Sequence, residues 1–184
     1  MARNNAVDKN SAEYLSSKIG GGRHSLLLIV AFTVVNLLMV VLDSSTYFLF
    51  SASVPYYLTL YSKGIDNGFV DGPWPENGPV TIVALIVSGV ILLLFLLCWL
   101  LSRKRTGWLV PALVLFVLDC LALIGICVWA QDFSGILDIA FHAFVLYYLI
   151  MGVKYGNQLK NLPSEEEEQP QQPQQPQTPA GPEF

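Results

Sequence analysis

The chain has 184 residues, of which 53% are hydrophobic and 13% charged, against roughly 25% charged in an average soluble domain. A soluble domain of this size cannot hide that much apolar surface, and the composition points to a membrane. The net charge of −4 comes from the carboxyl end: residues 161–184 hold five Glu and no Lys or Arg, so residues 1–160 sum to +1. That leaves no acidic domain and no basic field suited to nucleic acid.

In chain order, residues 1–24 are polar, with Arg3, Asp8, Lys9, Glu13 and Lys18 among them, which is not the pattern of a cleavable secretory signal. Within them, Asn10-x-x-Glu13 resembles a capping box opening a short amphipathic helix that Gly20–Gly22 ends. The first predicted span is Ser25–Phe50, with Asp43 late in it. An outer loop, 51–79, follows. Its first part, "SASVPYYLTLYSKG", predicts an interfacial helix starting near Pro55, with Tyr56, Tyr57 and Tyr61 at headgroup level. Its second part, "IDNGFVDGPWPENGP", is turn chemistry.

Val80–Leu101 is a 22-residue run without charge, and Trp108–Trp129 is a 22-residue run with one acid, Asp119. As helices these are about 33 Å long, enough for a hydrocarbon core of about 30 Å. Phe133–Val153 is the fourth span, interrupted by Asp138 and His142. The short connections Ser102–Gly107 and Ala130–Asp132 make spans two, three and four antiparallel neighbours. Gly152-x-x-x-Gly156 reads as ordinary membrane composition rather than a packing motif. Residues 155–184, ending "PSEEEEQPQQPQQPQTPAGPEF", have nothing to bury and are expected to form a disordered tail.

With the amino end in the cytosol, Arg3, Lys9, Lys18, Arg23, Arg103, Lys104, Arg105, Lys154 and Lys160 lie inside and only Lys63 lies outside. That asymmetry sets the direction of insertion. All four Trp fall near predicted boundaries, as an aromatic belt requires. The expected fold is therefore an all-α membrane protein of four transmembrane helices in an antiparallel bundle, with both termini cytosolic.

The polar residues inside the spans are the candidate functional residues. Asp119 is about 15 Å, and His142 about 14 Å, from the outer ends of their helices, and they face each other across the Ala130–Asp132 hairpin. Thr33, Asn36, Asp43 and Thr46 share one face of the first span. The expected central layer is Asn36, Ser88, Asp119 and His142, with Asp43 and Asp138 as a second pair nearer the outer surface. A lone charge at a helix centre costs about 2.5–3.5 kcal/mol, so Asp119 should turn inward and meet His142.

Two roles stay open for that layer: interhelical glue in a structural or accessory component, or a proton or solute site in a small carrier. A divalent metal held by Asp43, Asp119, Asp138 and His142 lacks any recognised ligand spacing. No Gly-x-Ser-x-Gly, His-Glu-x-x-His or Cys-x-x-Cys occurs, so neither an enzyme nor a cofactor is expected. Cys98, Cys120 and Cys127 sit in apolar runs and read as small packing residues. The expected partners are the lipid bilayer and a homo-oligomer or larger membrane complex.

Three strings, "DSSTYFLFSASVPYYL" at 43–58, "RTGWL" at 105–109 and "FHAFVLYYLIMGVKYG" at 141–156, resemble uncharacterised four-helix inner-membrane proteins of Gram-positive bacteria. The likeness covers roughly residues 25–162. It implies a bacterial cytoplasmic membrane and brings no known activity and no site residue with it.

Overall fold

The computed structural model describes residues 11–44, 46–69, 79–131 and 136–162. Expectations for residues 1–10, for Trp74 and its neighbours in 70–78, for the turn residue Asp132 and for the tail beyond Leu162 lie outside the described residues. Five α-helices are seen: α1 (Ala12–Val41), α2 (Ser53–Asp66), α3 (Val80–Lys104), α4 (Leu109–Ala130) and α5 (Ile136–Lys160). A 3₁₀ turn at Thr106–Trp108 leads into α4, and no strand occurs among the described residues. Helices α1, α3, α4 and α5 are each long and apolar enough to cross a membrane.

Helix α1 differs from the expectation at both ends. Ser11 caps its start, its hydroxyl accepting from the Tyr14 amide at 3.3 Å. Gly20–Gly22 do not end it, and the helix runs 30 residues, about 45 Å. The reason is packing: a Cβ at Gly22 would lie 3.0 Å from the Tyr148 carbonyl oxygen and 3.4 Å from Gly152 Cα. The glycine therefore lets α1 and α5 approach closely. Gly152 belongs to the same packing, while Gly156 serves a second one, for a Cβ there would meet the Thr106 side chain of the 3₁₀ turn at 3.1 Å. The small-residue motif is a contact face rather than background composition.

At its other end α1 stops at Val41, short of the expected Phe50. Asp43 takes a left-handed conformation, φ 56°, and Lys63 reaches back to the last turn, its ammonium donating to the Val40 and Val41 carbonyl oxygens at 2.7 and 3.0 Å. A cation on those unpaired carbonyls is what a helix C-terminus favours.

The long helices alternate in direction. Tyr14 meets Tyr155 and Gly22 meets Gly152, so α1 runs against α5. The Arg23 guanidinium donates to the Ser102 carbonyl oxygen, joining the start of α1 to the end of α3. Thr106 lies against Gly156, joining the start of α4 to the end of α5. These contacts gather Lys18, Arg23, Arg103, Lys104, Arg105, Lys154 and Lys160 at one end, here called the basic end, and leave Lys63 at the other. Helix α5 continues to Lys160, so the first six residues of the expected tail are helical.

The largest departure is α2. It is not an interfacial helix: Ser51, Ala52, Ser53 and Thr59 are 0–1% exposed. The chain leaves α1, descends into the bundle between residues 46 and 52, reverses, and rises as a 14-residue helix of about 21 Å. Asp66 at its top accepts from the Val80 and Thr81 amides at 3.3 and 2.8 Å, tying it to the start of α3. Thus α2 is a half-length helix starting deep in the bundle.

Candidate functional site

A helix that begins inside an apolar bundle must find partners for its first four amide groups, which have no acceptor within the helix. Each is accounted for here. The Ala52 amide donates to Thr33 Oγ1 at 2.7 Å, the Ser53 amide to Asp119 Oδ2 at 2.8 Å and the Val54 amide to Asp119 Oδ1 at 2.8 Å. The fourth is Pro55, which has no N–H to satisfy. A carboxylate at a helix N-terminus also faces the positive end of the helix dipole. Asp119 is thus the N-terminal cap of α2, supplied from α4, eleven residues or about 16 Å below the end of its own helix.

The descending segment is held in a similar way from α1. Asn36 brackets the Phe48 backbone, its Oδ1 accepting from the amide at 2.8 Å and its Nδ2 donating to the carbonyl at 2.7 Å. The same Nδ2 donates to Ser51 Oγ at 2.8 Å. Phe50, at φ 70°, makes the reversal, and its ring packs 3.9 Å from that of Phe141. A bulky residue in the left-handed region is strained, and the Phe32, Phe141 and Phe144 rings around it hold it there.

His142 joins the cap. Its Nε2 lies 3.2 Å from Asp119 Oδ2 and 3.1 Å from Ser53 Oγ. Its Nδ1 is 2.8 Å from the Asp138 carbonyl oxygen, which can only accept, so Nδ1 carries a proton. Nε2 faces both partners, so it either donates to the Asp119 carboxylate or accepts from the Ser53 hydroxyl. Asp138 continues the chain upward: its Oδ1 is 3.4 Å from His142 Nδ1 and its Oδ2 accepts from the Tyr47 hydroxyl at 2.7 Å.

The structure brings Asp119, His142 and Asp138 together, with Asn36 on the other side of the same inward turn. It does not bring Ser88 into hydrogen-bonding contact with them. Ser88 donates to the Pro55 carbonyl oxygen at 3.1 Å and lies 3.2 Å from Thr59 Oγ1, binding the far flank of α2. Nor does Asp43 pair with Asp138 or share a helical face with Asn36. It lies beyond the end of α1, with a side chain 79% exposed, and binds Lys63 at 2.7 Å. The four-residue metal set is therefore not assembled, and no group of three or more His, Cys, Asp or Glu among the described residues is placed to hold a metal ion.

Sequence reasoning placed Thr33 on the Asn36 face but missed Tyr47, Ser51, Ser53 and Thr59 as members of this network. The signal was the run Ser51-Ala-Ser-Val-Pro55, where small polar residues precede a proline as at a helix start.

No family model matches the chain, and neither a curated protein nor a solved structure is similar to it. Its chemistry must be read from its own geometry.

Below the polar layer, toward the basic end, the interior turns apolar on every helix. Leu26 and Ile29 of α1, Phe95 and Cys98 of α3, Ala112 and Phe116 of α4, and Val145 and Leu149 of α5 form one buried cluster closed above by Ala52. Phe116 stacks on the His142 ring, 5.3 Å between centroids and 8° from parallel. The polar chain from Tyr47 to Asp119 ends on this cluster.

Proposed function

We propose that this chain is a non-enzymatic integral protein of a bacterial cytoplasmic membrane, with both termini cytosolic, acting as a structural or accessory component of a homo-oligomer or larger membrane complex. The basic end faces the cytosol in this reading, supported by the gathering of Lys and Arg there and by a single Lys, Lys63, at the other end. The bacterial setting rests on the resemblance of residues 25–162 to Gram-positive inner-membrane proteins.

One observation carries the structural reading: both oxygens of Asp119 are occupied by the first amides of α2. An acid in a transport route must exchange its partners with ion or substrate. In transporters the N-terminus of a broken helix is where an anionic substrate binds, and here the chain's own carboxylate fills that position. Beneath it lies the apolar cluster, and among the described residues the next buried polar side chains toward the basic end are Ser25 and Ser102, beyond that cluster.

The second reading, a proton-coupled carrier, draws on the half-path Tyr47, Asp138, His142 and Asp119. Reconstitution into liposomes with an imposed pH gradient separates the two. The structural reading expects wild-type vesicles to lose the gradient no faster than protein-free ones, and Asp119→Asn to lower the melting temperature. Wild-type flux that vanishes in an Asp119→Asn protein of unchanged melting temperature would establish the carrier instead.

A further inference from the structure

Between the top of α2, the upper ends of α4 and α5 and the descending segment lies a cleft of about 340 Å³. Four tyrosines line it, Tyr47, Tyr56, Tyr57 and Tyr61, with Asp138 among them and no described basic residue. The rings form a run, with centroids 4.5 Å apart for Tyr47–Tyr56, 5.1 Å for Tyr56–Tyr57 and 6.2 Å for Tyr57–Tyr61. Asp138 is 3% exposed, and its Oδ1 has no hydrogen-bond donor among the described residues.

Charge accounting leaves this site incomplete. His142 faces both Asp119 and Asp138 and carries at most one positive charge, which cannot match two carboxylates. Lys63, the nearest cation along α2, is already committed to Asp43 and the end of α1. A buried charge is retained when it is paired. Aromatic faces around a carboxylate attract a cation through the ring quadrupole, and an unfilled oxygen calls for an N–H donor. We propose that this cleft is a binding site for a small protonated organic amine, its ammonium directed at the Asp138 carboxylate and its alkyl body lying among the tyrosine rings. The site is separate from the capping role of Asp119 and does not depend on whether the protein carries protons.

The test uses the full chain in lipid nanodiscs, titrated calorimetrically with n-butylammonium chloride, and with n-butanol and potassium chloride as controls. Saturable binding of butylammonium is expected, with butanol at least about tenfold weaker and no displacement by potassium at equal ionic strength. Asp138→Asn keeps an acceptor for Tyr47 and should lose butylammonium binding by at least about tenfold. Tyr57→Leu preserves bulk while removing a ring and should weaken it severalfold. Equal binding of butanol, displacement by potassium, or no saturable binding would each overturn the proposal. If Asp138→Asn does not fold, Tyr57→Leu decides: weakened binding supports the site and unchanged binding rejects it.

Discussion

Asp119 shows why an acid can persist in the middle of an oily helix. The usual objection is the cost of burying a charge, but the alternative here is a helix whose first amides have no partner in a medium without water. The side chain answers two deficits at once, its own and that of α2, with His142 Nε2 as a further partner 3.2 Å away. Asp119→Ala strips the cap and leaves His142 facing nothing, and should destabilise the fold by about 3–5 kcal/mol. Asp119→Asn keeps one acceptor and turns an N–H₂ toward the second amide, for a smaller loss of about 1–2 kcal/mol. Chemical unfolding in detergent reads both values, and equal losses would argue against the two-amide cap. Asn36→Ala removes three hydrogen bonds to the descending segment, including both to the part-buried Phe48 backbone, at about 0.5–1.5 kcal/mol each. Hydrogen exchange should then rise at residues 46–52 more than in α3. Uniform exchange across the chain would place the role of Asn36 elsewhere.

At the scale of elements, what was legible depended on whether a signal was local. The four long runs were visible because lipid demands about 20 apolar residues whatever their neighbours. The meeting of Asp119 with His142 could be anticipated because a short hairpin fixes register. The inward fold of α2 could not, because it depends on an acceptor 66 residues away along the chain, and a 14-residue helix of moderate hydropathy suits a membrane surface equally well. The glycines misled for a related reason. Gly20–Gly22 break an isolated helix, but packing overrides propensity where a neighbouring backbone needs the space. Gly22→Ala should therefore destabilise by about 1–3 kcal/mol, whereas Gly20, with nothing within 4 Å of an added Cβ, should gain up to about 1 kcal/mol as Ala. Thermal melts of the two variants shifting the same way would contradict the α1–α5 contact. The joint between α2 and α3 depends on pH. The Thr81 hydroxyl nearby, although it makes no hydrogen bond by geometry, and the Thr81 and Val80 amides that do hold the Asp66 carboxyl below its ordinary value of 3.8. A depressed carboxylate contributes stability above its unfolded-state pKa and loses it as pH falls through the lower folded value. The melting-temperature gap between wild type and Asp66→Asn should be constant near neutrality and close as the pH drops below 3.8. A gap unchanged at the acid extreme would mean the charge is not what holds the joint.

The molecule as a whole is divided across its thickness. Its basic half is a conventional dry four-helix packing around Phe95, Phe116 and Leu149. Its other half is opened by α2, which takes the place of direct packing between the upper parts of the long helices and brings hydroxyls, carboxylates and tyrosines with it. Each half explains the other: the apolar cluster gives the inward turn a floor, and the turn fills space that four helices alone would leave empty. The division also makes the direction of insertion testable at two points. Asn67, at the C-terminal cap of α2, and Arg105, between α3 and the 3₁₀ turn, lie at opposite ends of the bundle. If α2 enters and leaves from one side, Asn67→Cys should react with a membrane-impermeant maleimide in intact cells, and Arg105→Cys only after permeabilisation. The native thiols at Cys98 and Cys127 are buried and should stay silent, with Cys120→Ala removing the partly exposed third. An α2 that crossed the membrane would reverse α3, carrying Asn67 to the inner side and Arg105 to the outer side, and the two engineered thiols would exchange their labelling. With the amino end cytosolic, labelling of Asn67→Cys from outside and of Arg105→Cys only from inside requires that the chain enter and return on one face between α1 and α3, which is what a helix capped from within by Asp119 demands.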